Sequence, residues 1–184
     1  FLIFISFDAK LRELGYDAPP QLAALVEAVA DAPLDIVDLG CGTGQCGAAL
    51  AQRKRRLTGV DLSEKMLAFA RGRGVYDDLV ATDIHGWLAS APTDAFDLVI
   101  AADVFIYIGA LDDVFADVCR IVRRHGWFAF SIEDSDDADF TLKASGRYGQ
   151  STRYIDRLAA NRFVIRQARP AVIRMEAGQP LAGH

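Results

Sequence analysis

The stretch Ile36-Val37-Asp38-Leu39-Gly40-Cys41-Gly42-Thr43-Gly44 decides how the rest of this chain is read. Apolar residues lead into a carboxylate, and a glycine-rich turn follows at once. Beyond it Gln45-Cys46-Gly47-Ala48-Ala49-Leu50-Ala51 reads as the opening of a helix. A strand, a glycine loop and a helix in that order bring backbone N–H groups and a helix N-terminus against a ligand. Glycine suits the turn because it tolerates positive φ and, lacking a Cβ, lets a cofactor approach the main chain. Two kinds of cofactor use such a loop. Gly42-x-Gly44-x-x-Gly47, with Asp61 about twenty residues on to bind a ribose, fits the dinucleotide fingerprint. The other frame is Asp38-x-Gly40-x-Gly42-x-Gly44, whose acid precedes the loop. A carboxylate there attracts a cofactor carrying an ammonium group and repels a pyrophosphate.

Composition bounds the answer. A chain of 184 residues is read as one domain, long enough for a substantial core. With 52% apolar and 24% charged residues it belongs with globular proteins rather than disordered or fibrous ones. The net charge of −5 offers no general attraction to nucleic acid. Three cysteines, Cys41, Cys46 and Cys119, lack paired metal spacing and read as packing residues in a reducing cytoplasm, so no metal is expected. The opening Phe1-Leu2-Ile3-Phe4-Ile5-Ser6-Phe7 is apolar but short, without a basic start or a small-residue cleavage site, and is not read as a signal peptide. Nothing is long enough for a membrane helix. Neither a membrane nor nucleic acid is expected as a partner, and a small-molecule acceptor is the expectation.

Along the chain, Leu11–Leu14 and Pro20–Ala30 read as helices, the second with Leu22, Leu25, Val26 and Val29 on one face. Pro33 stops it, and Leu34–Leu39 begins the sheet. The helix after the loop is expected over 45–54, with Arg53-Lys54-Arg55-Arg56 as its solvated, dipole-favoured end. Leu57–Asp61 is a strand, and Ser63 caps a helix over Glu64–Arg71. At its strand end Asp61 can take both hydroxyls of a ribose. Leu62 and Met66 either flank that ribose and its base or belong to the core. Leu79–Thr82 is a short strand, and Phe96–Asp103 is a central one buried on both faces. Val104–Ile108 extends past it toward the side where open parallel sheets bind ligands. Asp112–Arg124 is an amphipathic helix, ended by Gly126, and Trp127–Ile132 is the next strand. Glu133–Asp139 reads as a solvated acidic loop, Thr152–Ala160 as a helix, and Phe163–Gln167 and Ala171–Met175 as strands. The alternation makes an α/β doubly wound sheet.

Four motifs occur in order: Val37-Asp38-Leu39-Gly40-Cys41-Gly42-Thr43-Gly44, Gly59-Val60-Asp61-Leu62-Ser63, Thr82-Asp83-Ile84 and Phe96-Asp97-Leu98-Val99-Ile100-Ala101-Ala102-Asp103. Together they resemble the class I S-adenosylmethionine-dependent methyltransferases over about residues 34–132. The resemblance implies a mostly parallel, Rossmann-like sheet of seven strands with helices on both faces and the last strand antiparallel. It divides the single domain 1–184 into an N-terminal helical cap (1–33), a cofactor-binding core (34–132) and a substrate-side part (133–184).

The same resemblance implies roles for residues. Asp38 holds the methionine end, while Gly40, Cys41, Gly42 and Gly44 form the loop wall. Asp61 binds ribose and Asp83 the adenine amino group, with Ile84 against the ring. Ala101 and Ala102 leave room for the methionyl part. Tyr16, Asp103, Tyr107 and Tyr148 are candidates for the acceptor side, and no general base is assigned. Phe7–Tyr16, Ser145–Tyr148 and Glu176–Gly183 are similar to bacterial predicted methyltransferases that often follow tetratricopeptide repeats, although no such repeats occur here. In that group a strand follows the Gln179-Pro180 segment, so the stop at His184 leaves the presence of the last strand open. An NAD-dependent oxidoreductase, a cofactor-binding module without chemistry and a regulatory partner subunit are the alternatives.

Overall fold

The computed structural model describes residues 18–30, 33–135, 138–176 and 179–184. Its main sheet is built from β1 (Leu34–Leu39), β2 (Lys54–Asp61), β3 (Asp78–Ala81), β4 (Phe96–Ala101) and β5 (Val122–Phe130). They are all parallel and stand in the order β3-β2-β1-β4-β5. Six α-helices lie among the described residues: α1 (Ala18–Glu27), α2 (Gln45–Leu50), α3 (Glu64–Gly72), α4 (Ile84–Ser90), α5 (Asp112–Ile121) and α6 (Thr152–Ala159). β1 and β4 are nearly continuous in apolar residues because helices cover both of their faces. Ile36, Leu57, Leu98 and Ile100 pack with Leu22, Val26 and Leu50 of α1 and α2. Val37, Leu39, Val99 and Ala101 pack on the opposite face, with Leu88, Val114, Phe115 and Leu158 of α4, α5 and α6.

The chain winds outward from β1 to β3, then returns to place β4 on the other side of β1. The carboxyl ends of β1 and β4 therefore flank the point where the winding reverses, which is where open α/β sheets bind ligands. The two loops that leave those ends touch. A Cβ added at Gly40 would lie 2.3 Å from Val104 Cγ2.

The start of α5 has no side-chain cap of its own. Tyr154 of α6, 1% exposed, takes that role from outside. Its hydroxyl accepts the Leu111 N–H at 2.7 Å and donates to Asp112 Oδ2 at 2.6 Å. Replacing Tyr154 with Phe keeps the ring but strands a backbone donor, so urea denaturation should show a loss of about 1–3 kcal/mol.

Several local expectations are corrected. α2 ends at Leu50, and Lys54, Arg55 and Arg56 open β2 rather than ending a helix. They are ion-paired across the sheet's edge: Lys54 with Asp77 at 2.9 Å, Arg55 with Asp35 at 2.6 Å and Asp97 at 2.9 Å, Arg56 with Asp78 at 2.7 Å. Arg123 joins the same two acids as Arg55, at 2.9 and 2.8 Å. Parallel register puts the chain starts of β1, β2 and β4 side by side, so charges far apart in sequence meet there. α5 stops at Ile121, three residues early, because β5 begins at Val122 and bulges between its pairings with Phe96 and Leu98. The 163–167 stretch forms no strand. Instead a hairpin of β6 (Phe140–Leu142) and β7 (Tyr148–Gln150) follows the acidic loop. That loop is not wholly solvated, since Glu133 is fully buried and meets Lys143 Nζ at 2.8 Å.

The main sheet has five strands among the described residues, short of the seven expected. β9 (Gln179–Gly183) holds the Gln179-Pro180 segment itself rather than following it, and pairs antiparallel with β8 (Ala171–Glu176) in a separate two-stranded sheet. Glu133 and Gly183 form an antiparallel bridge, and Ile132 and His184 exchange backbone hydrogen bonds of 2.8 and 3.1 Å. The end of β9 thus runs alongside the exit of β5. The proposed Leu11–Leu14 helix lies outside the described residues. Among the described residues, no helix is long and apolar enough to cross a membrane.

Candidate functional site

The loop after β1 turns on three glycines with left-handed backbone, at φ 67° for Gly40, 53° for Gly42 and 84° for Gly44. Its geometry is pinned by Cys41 N–H to Val60 O at 3.0 Å and Gly44 N–H to Cys41 O at 2.8 Å. A Cβ at Gly42 would approach nothing nearer than Gly40 O at 4.0 Å, so the loop is open to a ligand on that side. Gly47 answers the dinucleotide frame differently. A Cβ there would collide with the Tyr76 ring at 2.4 Å, so this glycine makes room for a side chain of the protein rather than for a phosphate.

Asp38 closes β1 and is 1% exposed. The Tyr76 hydroxyl donates to its Oδ2 at 2.7 Å and lies 3.2 Å from the Gly47 nitrogen, whose hydrogen it accepts. Burial raises the Asp38 carboxyl to about 7, with Asp61 adding to the rise and the Tyr76 bond opposing it. Asp61 closes β2 beside it. Its Oδ2 accepts the Gly42 N–H at 2.9 Å and its Oδ1 the Ser63 N–H at 2.8 Å. Two acids from neighbouring strands therefore converge on one loop. Asp83 stands past the end of β3, exposed, where its Oδ1 caps α4 by accepting the Gly86 N–H at 2.8 Å. Cys41 and Cys46 are both buried, and burial first, then the charge of Asp38, pushes both thiols well above their ordinary range. They are protonated packing groups.

The remaining predicted residues fall into two sets. Leu62 is 76% exposed just past Asp61, and Met66 is half-buried one turn into α3. Ile84 and Ala101 are buried in the core, and Ala102 is half-buried at the exit of β4. On the prospective acceptor side, Asp103 takes a positive φ of 51° while its N–H donates to Ser131 Oγ at 2.8 Å. Tyr107 is 67% exposed on the short 3-10 turn Phe105–Tyr107. Tyr148 is carried to the same loop by β7. Neighbouring Gln150 donates from Nε2 to Phe105 O at 3.0 Å and Ile108 O at 2.8 Å. Tyr16 lies outside the described residues. Sequence reasoning missed Tyr76, Ser131 and Val104. Tyr76 follows a helix without periodicity or motif, and only its tertiary contacts single it out.

A cleft of about 290 Å³, lined by Leu34, Asp97, His125 and Trp127 among others, opens at the amino ends of β1 and β4. It is at the opposite end of the sheet from the glycine loop. Among the described residues no group of three or more His, Cys, Asp or Glu side chains is placed to hold a metal.

A family model described as a methyltransferase domain matches residues 37–130. The chain is 36% identical over 120 residues to a trans-aconitate 2-methyltransferase of Acidovorax sp., covering 64% of this chain and 45% of that protein. It spans about half the length of the curated relatives it matches. An S-adenosylmethionine-dependent methyltransferase of Mesorhizobium loti is 32% identical at a TM-score of 0.52, with 77% of this chain and 68% of that one aligned. A second such crystal structure, from Clostridium acetobutylicum, aligns over 90% of this chain and 94% of its own at a TM-score of 0.65 and 20% identity, a likeness of fold.

Proposed function

The chain belongs to the methyltransferase-domain family of the class I, S-adenosylmethionine-dependent type, and from that premise we propose that it transfers a methyl group from S-adenosylmethionine to a small-molecule acceptor. The observation that carries the reading is the convergence of Asp38 and Asp61 on a loop left open at Gly42. Two carboxylates there disfavour a pyrophosphate and suit a cofactor with a sulfonium and an ammonium group. The cofactor, when bound, supplies an activated methyl group on a positive sulfur.

The chain's own residues bind and orient. Asp61 is set to accept from ribose hydroxyls while it holds the loop through Gly42. Asp38 is set to neutralise the ammonium end, through the loop rather than by direct exposure. Asp83 keeps an acceptor oxygen beside an exposed helix start, where the adenine amino group would lie. Ala102, half-buried at the exit of β4, leaves space there, with Ala101 buried behind it. Asp103, Tyr107 and Tyr148 stand on the loop and hairpin that face the acceptor. Holding donor and nucleophile in line can supply roughly 7–11 kcal/mol of the barrier without any acid or base. The division into cap, core and substrate-side part, and a place in the reducing cytoplasm, belong to the same proposal.

Isothermal calorimetry with S-adenosylhomocysteine tests the first half, and binding in the micromolar range is expected. Transfer of a labelled methyl from S-adenosylmethionine to a cell-extract fraction tests the second. Binding of NADH in place of the homocysteine would overturn the cofactor assignment. Binding without any labelled product would reduce the chain to a silent cofactor module.

A further inference from the structure

We propose that Tyr76 is a positioning residue of the cofactor site, holding the Asp38 carboxylate and the first turn of α2 in the arrangement that receives the cofactor's amino-acid end. The proposal rests on the cofactor reading above. Three glycines border this one ring: the space at Gly47 is filled by it alone, while Gly44 also turns left-handed at φ 84° and Gly59 also borders Leu79 and Cys41. A Cβ at Gly44 in the loop, Gly47 in α2 or Gly59 in β2 would lie 2.8, 2.4 or 2.8 Å from Tyr76 ring atoms. A ring admitted by three separate backbones is fixed in place, and so is its hydroxyl. That hydroxyl donates at 2.7 Å to Asp38 Oδ2 and accepts from the Gly47 N–H, with 3.2 Å between the heavy atoms. It therefore serves at once a buried carboxylate and one of the donors that a helix start leaves without an intrahelical partner.

The chemistry explains why the hydroxyl matters. A carboxylate buried to 1% exposure prefers to be protonated, and a protonated Asp38 no longer attracts an ammonium group. The groups that face it are Asp61 from β2, Cys41 from the loop, Cys46 from α2 and Tyr76. Both thiols and the phenol are held protonated, and Asp61 opposes ionisation. Nearby, Arg73 is engaged by the Thr43 carbonyl. Tyr76, and beside it the Gly47 N–H, are thus the donors whose hydrogen bonds favour the ionised form, the Tyr76 bond more strongly. With the carboxyl titrating at about 7, cofactor binding should strengthen as pH rises through neutrality and couple to loss of a proton below it.

Tyr76→Phe keeps the ring and removes the hydroxyl. S-adenosylhomocysteine affinity is measured for the native chain and the variant at about pH 6.5 and about pH 8.5. The ratio of the two proteins cancels titration of the ligand's own amino group. A loss of about tenfold is expected at the lower pH and a clearly smaller one at the higher, where Asp38 ionises without help. An equal loss at both, as a purely structural role predicts, overturns the proposal, and so does no loss at either. If circular dichroism shows the Phe variant unfolded, Asp38→Asn decides. A loss relative to the native chain that grows from the lower pH to the higher supports the proposal, and a loss that is the same at both sinks it. Failure of the native chain to bind the ligand counts against the cofactor reading itself and is distinct from all of these.

Discussion

Asp61→Ala should weaken S-adenosylhomocysteine binding by well over tenfold, with little change in the far-ultraviolet circular dichroism. The carboxylate does two jobs from one strand end. It holds the Gly42 and Ser63 N–H groups at 2.9 and 2.8 Å, and it keeps acceptor capacity toward the open side of the loop. Hydrogen bonds to a charged group contribute about 1.5–3 kcal/mol each, so losing one to the ligand alone accounts for a factor of about ten to a hundred. Asp61→Asn separates the two jobs. Its carboxamide can still accept from one backbone donor but carries no charge, and an intermediate affinity is expected. Calorimetry on both variants reads the result, and native affinity in the alanine variant would refute the ribose assignment.

Gly40→Ala should destabilise the fold by about 2–5 kcal/mol in guanidinium denaturation. Two independent costs add. The φ of 67° is left-handed, which charges an L-residue about 1–2 kcal/mol. The new Cβ also meets Val104 Cγ2 at 2.3 Å and Cβ at 2.8 Å, and overpacking of this kind costs about 1–3 kcal/mol. Combining it with Val104→Ala should return the second cost but not the first, so the double variant is expected to be more stable than the additive sum of the singles. Strict additivity would mean that the loops after β1 and β4 do not meet. The contact matters for function because those two loops frame the crevice between the strands where the winding reverses.

The proposals about Asp38 and Tyr76 connect to the same crevice. Folding raises the Asp38 carboxyl above its ordinary value, so between about pH 4 and pH 7 the folded chain binds the proton more tightly than the unfolded one. Stability from this group is therefore greatest in acid and is lost as pH rises through about 7. Ligand affinity runs the other way. On the proposed reading the fold favours neutrality of a buried acid that the cofactor needs charged, a trade of stability for binding of the sort seen where function sets the local chemistry.

Much of this was legible from residues alone because it is local. An apolar run ending in Asp, then glycines at alternate positions, specifies a strand and a tight turn by backbone sterics, and the turn over Gly40–Gly44 takes the left-handed values this requires. The helical spacing of Val114, Phe115, Val118, Ile121 and Val122 predicts one inner face of α5; the first four are buried on it, while Val122 opens β5 instead. The Ser63 cap and the acid closing β2 were likewise visible, since each depends on neighbours a few residues away. What remained hidden is carried by contacts between distant positions. Arg55 finds Asp35 and Asp97 only when three parallel strands start side by side. Glu133 is buried where the β6–β7 hairpin and the end of β9 meet it, through Lys143, Gln150 and Gly183. The reason Gly47 is a glycine lies in a tyrosine 29 positions away, and Gly59 makes room for Leu79 and Cys41 as well as that ring, a volume constraint that no periodicity announces. Short-range backbone preference and burial pattern determined the sheet, the loop and the acids on it. The tertiary structure alone decided which acid is desolvated and which hydroxyl donates to it, because desolvation is a property of everything packed around a group and not of its place in the chain.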